Sequence, residues 1–136
     1  QTVNAAPNAI TITAGPTGTP NPVASAGNVA MTVTATDTLN RTLAYAWSAT
    51  CAGGIGSGTF ANGTTATPSW TAPANLSGVS RDCTIAITVS DGFGNTQSGS
   101  YVQAVTAAPN PITISAGPTG TPNPVVSAGN VRSSPR

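Results

Sequence analysis

A chain of 136 residues is long enough for one domain with a proper core and too short for two of ordinary size. With 5% charged residues, no Lys, Glu or His, and a formal net charge of +1, it lacks the electrostatic footprint that binding to nucleic acid or an anionic membrane requires. The missing His also excludes Ser-His-Asp and Cys-His catalysis and removes the commonest zinc ligand, and no apolar run approaches the roughly 18 residues of a membrane span.

The composition reads all-β. Thr occurs 23 times and suits a pleated, half-exposed surface, while 15 Gly and 12 Pro supply the punctuation. Residues 1–9 form a polar lead-in with Pro7, and Ile10-Thr11-Ile12-Thr13 gives the first strand signal. From Gly15 to Ala26 the glycines and prolines forbid helix and interrupt a ladder, which predicts an edge strand that bulges or crosses between sheets. Val29 to Thr36 alternates, placing Val29, Met31, Val33 and Ala35 inward, and Asp37 to Asn40 makes a turn.

Leu43, Tyr45, Trp47, Ala49 and Cys51 then share one face of an extended segment. Two aromatics and a cysteine on that face mark it as core, with Tyr45 and Trp47 as anchors at the expected middle of a small β-sandwich. The glycine-rich run 52–58 is a flexible loop, and Thr59-Phe60 opens a short strand. Trp70, flanked by Pro68 and Pro73, reads as part of an edge strand, either capping the sandwich or exposed for binding. Asn75 to Gly78 is a turn. Cys83 to Val89 is the clearest strand, with Cys83, Ile85, Ile87 and Val89 on one face; Asp91 to Asn95 makes a hairpin turn, and Ser98 to Val105 closes the domain.

Cys51 and Cys83 both fall in phase with the inward faces of their strands, which predicts a buried disulfide, cross-strand or inter-sheet. A redox pair is the weaker alternative, because the two are far apart in sequence and Arg81 is the only cationic neighbour. A cystine in a charge-poor, Thr-rich chain points to an oxidising compartment, so an extracellular location is expected. A start at Gln1 fits a mature product after signal removal, or a fragment.

Residues 5–29 and 107–131 are identical at 22 of 25 positions, at an offset of 102. A period near 100 residues is one sandwich domain, far longer than a solenoid unit. Residues 1–106 therefore read as one complete module and 107–136 as the start of a second copy. After Val131 the apolar strand gives way to Arg132-Ser133-Ser134-Pro135-Arg136. The orphan start is either a piece of a longer tandem array or a strand donated to a neighbouring copy by β-augmentation, which would build a filament.

Tyr45-Ala46-Trp47, preceded by Asp37 and followed by Ile85 to Asn95 with its Thr88-Val89-Ser90-Asp91-Gly92-Phe93-Gly94 turn, resembles the PKD-type and related bacterial immunoglobulin-like domains. The resemblance covers about residues 5–106. Where PKD domains continue the Trp strand into an Asp- and Gly-containing turn, Trp47 leads here to Cys51, as in a disulfide-containing relative. The resemblance implies extracellular, non-catalytic roles as spacers, adhesion modules or accessory modules of secreted hydrolases.

Candidate chemistry is sparse. Asp37, Asp82 and Asp91 are the only carboxylate side chains, and Asp37 and Asp91 sit in turns where Asp serves local backbone bonding rather than a glycosidase pair. A calcium site drawn from Asp37, Asp91, Asn95 and loop carbonyls has too few acidic ligands to bind tightly. Asn40, Asn62 and Asn75 head Asn-x-Ser/Thr sequons in expected turns, accessible if the host glycosylates. Trp70 and Phe93 are candidate sugar-stacking aromatics, but core or edge packing is the favoured role, because aromatics are only 4% of the chain and a core needs them. The expectation is an all-β, immunoglobulin-like antiparallel sandwich of Greek-key topology, about seven strands and one disulfide. Its expected role is a non-enzymatic structural module without metal or cofactor, partnered by other copies of itself; a carbohydrate-binding or adhesion module that takes surface glycans is the alternative.

Overall fold

The structure, a computed structural model, describes residues 1–121. The part of the second copy beyond Thr121 lies outside the described residues. Seven strands follow in order: β1 (Ile10–Thr19), β2 (Asn28–Asp37), β3 (Ala44–Cys51), β4 (Thr59–Ala61), β5 (Ser69–Thr71), β6 (Arg81–Ser90) and β7 (Thr96–Val105). One antiparallel sheet runs β1-β2-β5-β4 and the other β3-β6-β7. This is the strand arrangement of a seven-stranded immunoglobulin domain.

The centre of the molecule is β6, not β3. β6 pairs with β3 along one side, from Ser90 opposite Ala44 to Cys83 opposite Cys51, and with β7 along the other. Cys83, Ile85, Ile87 and Val89 alternate inward and are fully buried, each aliphatic one stabilising the fold by about 1.5–3 kcal/mol. They meet Val29, Met31 and Val33 of β2, Trp70 of β5 and Val105 of β7. β3 lies at a sheet edge, so Tyr45 and Trp47 pack against this core yet stay half-buried. A strand with a neighbour on one side only leaves its inward side chains open at the rim.

Trp70 corrects the reading of its segment. β5 lies between β2 and β4, and the edge position belongs to β4. The flanking prolines limit β5 to three residues; beyond it, the connection from β4 covers β2, with Met31 N donating to Pro68 O and Val33 N to Ala66 O (both 3.0 Å).

β1 does both things expected of its Gly/Pro run. Two register shifts, between Ile12 and Ala14 and between Ala14 and Thr17, add two residues against β2. An even number of extra residues preserves the inward phase, so Ile10, Ile12, Pro16 and Gly18 all face the other sheet. Gly18 must be glycine because a Cβ there would fall on the Tyr101 hydroxyl. The chain then crosses to the second sheet, where Val23 forms a parallel bridge with Val105; Val23 N donates to Ala104 O and Thr106 N to Val23 O (both 2.9 Å).

The disulfide joins Cys51 to Cys83 with a Cα–Cα distance of 3.9 Å. It is a cross-strand bridge within one sheet, tying edge strand β3 to central strand β6. The bond closes a loop over a sequence separation of 32, for which chain entropy gives about 3–4 kcal/mol. Urea unfolding of the reduced protein is expected to show a midpoint lowered by that amount divided by the slope, with the strands still forming. An unchanged midpoint would mean that the bridge adds nothing to stability.

Candidate functional site

One end of the sandwich gathers the start of β1, the β2–β3 turn and the β6–β7 turn around Asp91. Its Oδ1 accepts from the backbone N–H groups of Phe93 (2.8 Å) and Asn95 (3.2 Å). Its Oδ2 accepts from Asn8 Nδ2 (2.6 Å), Asn95 Nδ2 (2.7 Å) and Arg41 Nη1 (3.2 Å). Arg41 comes from the β2–β3 turn, where Asp37 Oδ2 accepts from the backbone N–H groups of Leu39 (3.1 Å) and Arg41 (2.8 Å). Thr38 Oγ1 completes the tie by donating to Asn8 Oδ1 (2.8 Å) and accepting from Ala9 N (3.0 Å).

The Asp91 side chain has no accessible surface, and Arg41 is its one salt-bridge partner among the described residues. Desolvation pushes the carboxyl up, but the donors on Asn95 and Phe93 and the Arg41 guanidinium outweigh it and hold the pKa at about 2. Its lone pairs are thus spent on protein donors. Asp37 Oδ1 is buried without a partner, a single open carboxylate oxygen where a cation would need several. Among the described residues there is no cluster of three or more His, Cys, Asp or Glu side chains, and no pocket.

Over this network Phe93 is 71% exposed, with the Arg41 guanidinium carbon 4.1 Å from its ring centroid. Phe93 is therefore not packed into the core, the role its sequence favoured, but stands on a Gly92-Phe93-Gly94 tip that no strand covers. Trp70, its supposed companion, is fully buried, packs against Phe60 (ring centroids 6.4 Å apart) and donates from Nε1 to Ser57 O (3.0 Å). It faces no ligand, because β5 is an interior strand. Among the sequons, Asn40 and Asn62 are exposed in left-handed turn conformations, φ 54° and 57°. Asn75 is not accessible. Its Nδ2 donates to Val79 O (2.8 Å) and Val105 O (2.9 Å) and its Oδ1 accepts from Ser77, so the glycosylation assignment there is corrected to a structural one.

Sequence reasoning missed Asn8, Arg41 and Gln103. Gln103 is buried at the crossing segment, where its Nε2 donates to Pro20 O (3.0 Å) and its Oε1 accepts from the Tyr101 hydroxyl (3.1 Å), whose pKa burial pushes up to about 12. A polar residue paired with groups 50 or more positions away leaves no local pattern to read.

The depressed Asp91 pKa fixes a sign. Its contribution to stability is fully present above pH 4, the unfolded value, and is lost as pH falls through about 2. Thermal melts of the protein are expected to drop between pH 4 and pH 2, with a shallower drop and a lower plateau for Asp91→Asn. Parallel profiles would show that Asp91 is not the titrating support. A second expectation concerns the tryptophans: Trp70→Ala should cost about 3–5 kcal/mol in urea unfolding, and Trp47→Ala less because that ring is only partly buried.

No family model and no curated protein matches the chain. A solved structure described as a nucleoside hydrolase-related hypothetical protein from Saccharophagus degradans that is associated with carbohydrate metabolism is similar over 74% of this chain and 25% of its own, at 17% identity and a TM-score of 0.49. The chain thus spans about a quarter of that protein's length.

Proposed function

We propose that the chain is a non-enzymatic, extracellular structural module of a repetitive surface or fibre-forming protein. The observation that carries this reading is one sequence in two environments. Ile10 and Ile12 sit in β1 against β2 and the core, while their counterparts Ile112 and Ile114, in an otherwise near-identical segment, are 94% and 74% exposed. An apolar strand that is buried when it has a body and bare when it has none is the start of another module. That module either follows in the same polypeptide or belongs to a neighbouring copy that accepts the strand. In the present fold the acceptor position beside β2 is filled by β1 itself, from Ile10 opposite Asp37 to Thr19 opposite Ala30, so donation would be a strand exchange.

The disulfide supports an oxidising location, and no described helix is long and apolar enough to cross a membrane. Both oxygens of Asp91 and Oδ2 of Asp37 are engaged with backbone and side-chain donors, which supports a non-catalytic role. The glycan-binding alternative retains Phe93 alone after the loss of Trp70. Negative-stain microscopy and size-exclusion chromatography of the full chain beside a chain ending at Thr106 test the reading. Chains or dimers that vanish on truncation are expected if strands exchange, and monodisperse particles in both samples assign the module to a covalent array. Retention of either protein on an immobilised polysaccharide, abolished by Phe93→Ser, would replace the structural role with the binding one.

A further inference from the structure

The repeat extends through the junction itself. At the same offset of 102, Gln1 and Val3 match Gln103 and Val105, so the string Gln-x-Val-x-Ala-Ala-Pro-Asn stands at 1–8 and again at 103–110. Gln103 and Val105 are fully buried at the end of β7. What is copied is therefore the end of one module together with the beginning of the next.

The exit side of that junction is pinned, and the entry side has a pinned counterpart at the start of the first copy. On the exit side, Ala108 N donates to Asn75 O (2.8 Å), holding the chain against the β5–β6 connection. On the entry side, Asn8 bonds Asp91 and Thr38, and its counterpart in the second copy is Asn110. Between the two pins lies Pro109, and Pro111 replaces Ala9 directly after them. Two residue steps span at most about 7 Å, and the flanking prolines keep the segment extended and stiff. The loss of the Ala9 N–H at Pro111 removes one bond to Thr38, while Ala9 O, which accepts from Thr38 N (3.1 Å), has its equivalent there.

A separation this short brings two surfaces together. The exit end carries Leu76 and Val79, 81% and 53% exposed, beside the buried Asn75, and the entry end carries Phe93 and Leu39 beside Asp91. Resting on the array reading above, we infer that successive modules abut without a free linker, the Phe93 end of each module seated on the Leu76/Val79 end of the one before. The occupant of both apolar ends is a copy of this module. The joint makes the array a stiff rod and hides the aromatic tip that a lone module exposes.

The test is a chain of residues 1–131 followed by a second copy of residues 30–106, which completes the second module through its natural junction. Nitrogen-15 relaxation is expected to show both modules tumbling as one elongated body. Asn110→Ala, or Phe93→Ser in the second body, should abolish the common tumbling without lowering the melting temperature of the single 136-residue chain carrying Phe93→Ser. In the unaltered chain, the Ala108 amide should exchange more slowly than the Ala6 amide. Two folded modules that tumble independently would overturn the joint and leave the array standing, as would free exchange at Ala108. The array reading falls separately, if the 136-residue chain forms multimers that vanish when the chain ends at Thr106.

Discussion

The whole fold depends on burying one face of β6. A chain with so few charges and so few aromatics has little else with which to define an inside. Cys83, Ile85, Ile87 and Val89 form a row with no exposed member. Both neighbours in the sheet pair with β6 over nearly its full length, and the other sheet closes over it through Val29, Met31, Val33 and Trp70. The disulfide attaches the sheet's rim to this row, which matters because β3 has only one strand beside it. An edge strand held by hydrogen bonds alone would be the first to open.

Around that apolar centre, three buried polar side chains organise the ends and the seam. Asp91 draws donors from the lead-in and from two turns, Asn75 ties the β5–β6 connection to the end of β7, and Gln103 clamps the crossing segment at Pro20. Each satisfies backbone or side-chain groups that the short strands leave unpaired, which is the condition for keeping polar atoms away from water. Asp91 and Asn75 lie at opposite ends, and each holds a stretch of chain that enters or leaves the module.

The two environments of the repeated segment show how little of strand formation is intrinsic. Ile10 to Thr19 is a ten-residue strand where β2 is available, whereas Ile112, Ile114 and the residues around them are exposed and form no strand among the described residues. The difference is the partner. β structure is stabilised by cross-strand neighbours and burial rather than by the residues alone.

The sequence by itself determined the strand content, the inward faces of β2 and β6, the turns at Asp37 and Asp91 and the pairing of Cys51 with Cys83, because each rests on a period or a turn residue that local chemistry writes into the chain. The scarcity of aromatics argued for packing Phe93 into the core, and its exposure on a Gly-flanked tip was not legible. Tertiary structure decided which strands are edges. That decision left Tyr45 and Trp47 half-buried, took Trp70 out of reach of any ligand, and turned Asn75 from an accessible sequon into an internal tie. It also brought Asn8, Arg41 and Asp91 together, although Asn8 and Asp91 are 83 positions apart in the chain. Alternation tells which way a side chain points, but only the order of strands in the sheets tells what lies in that direction.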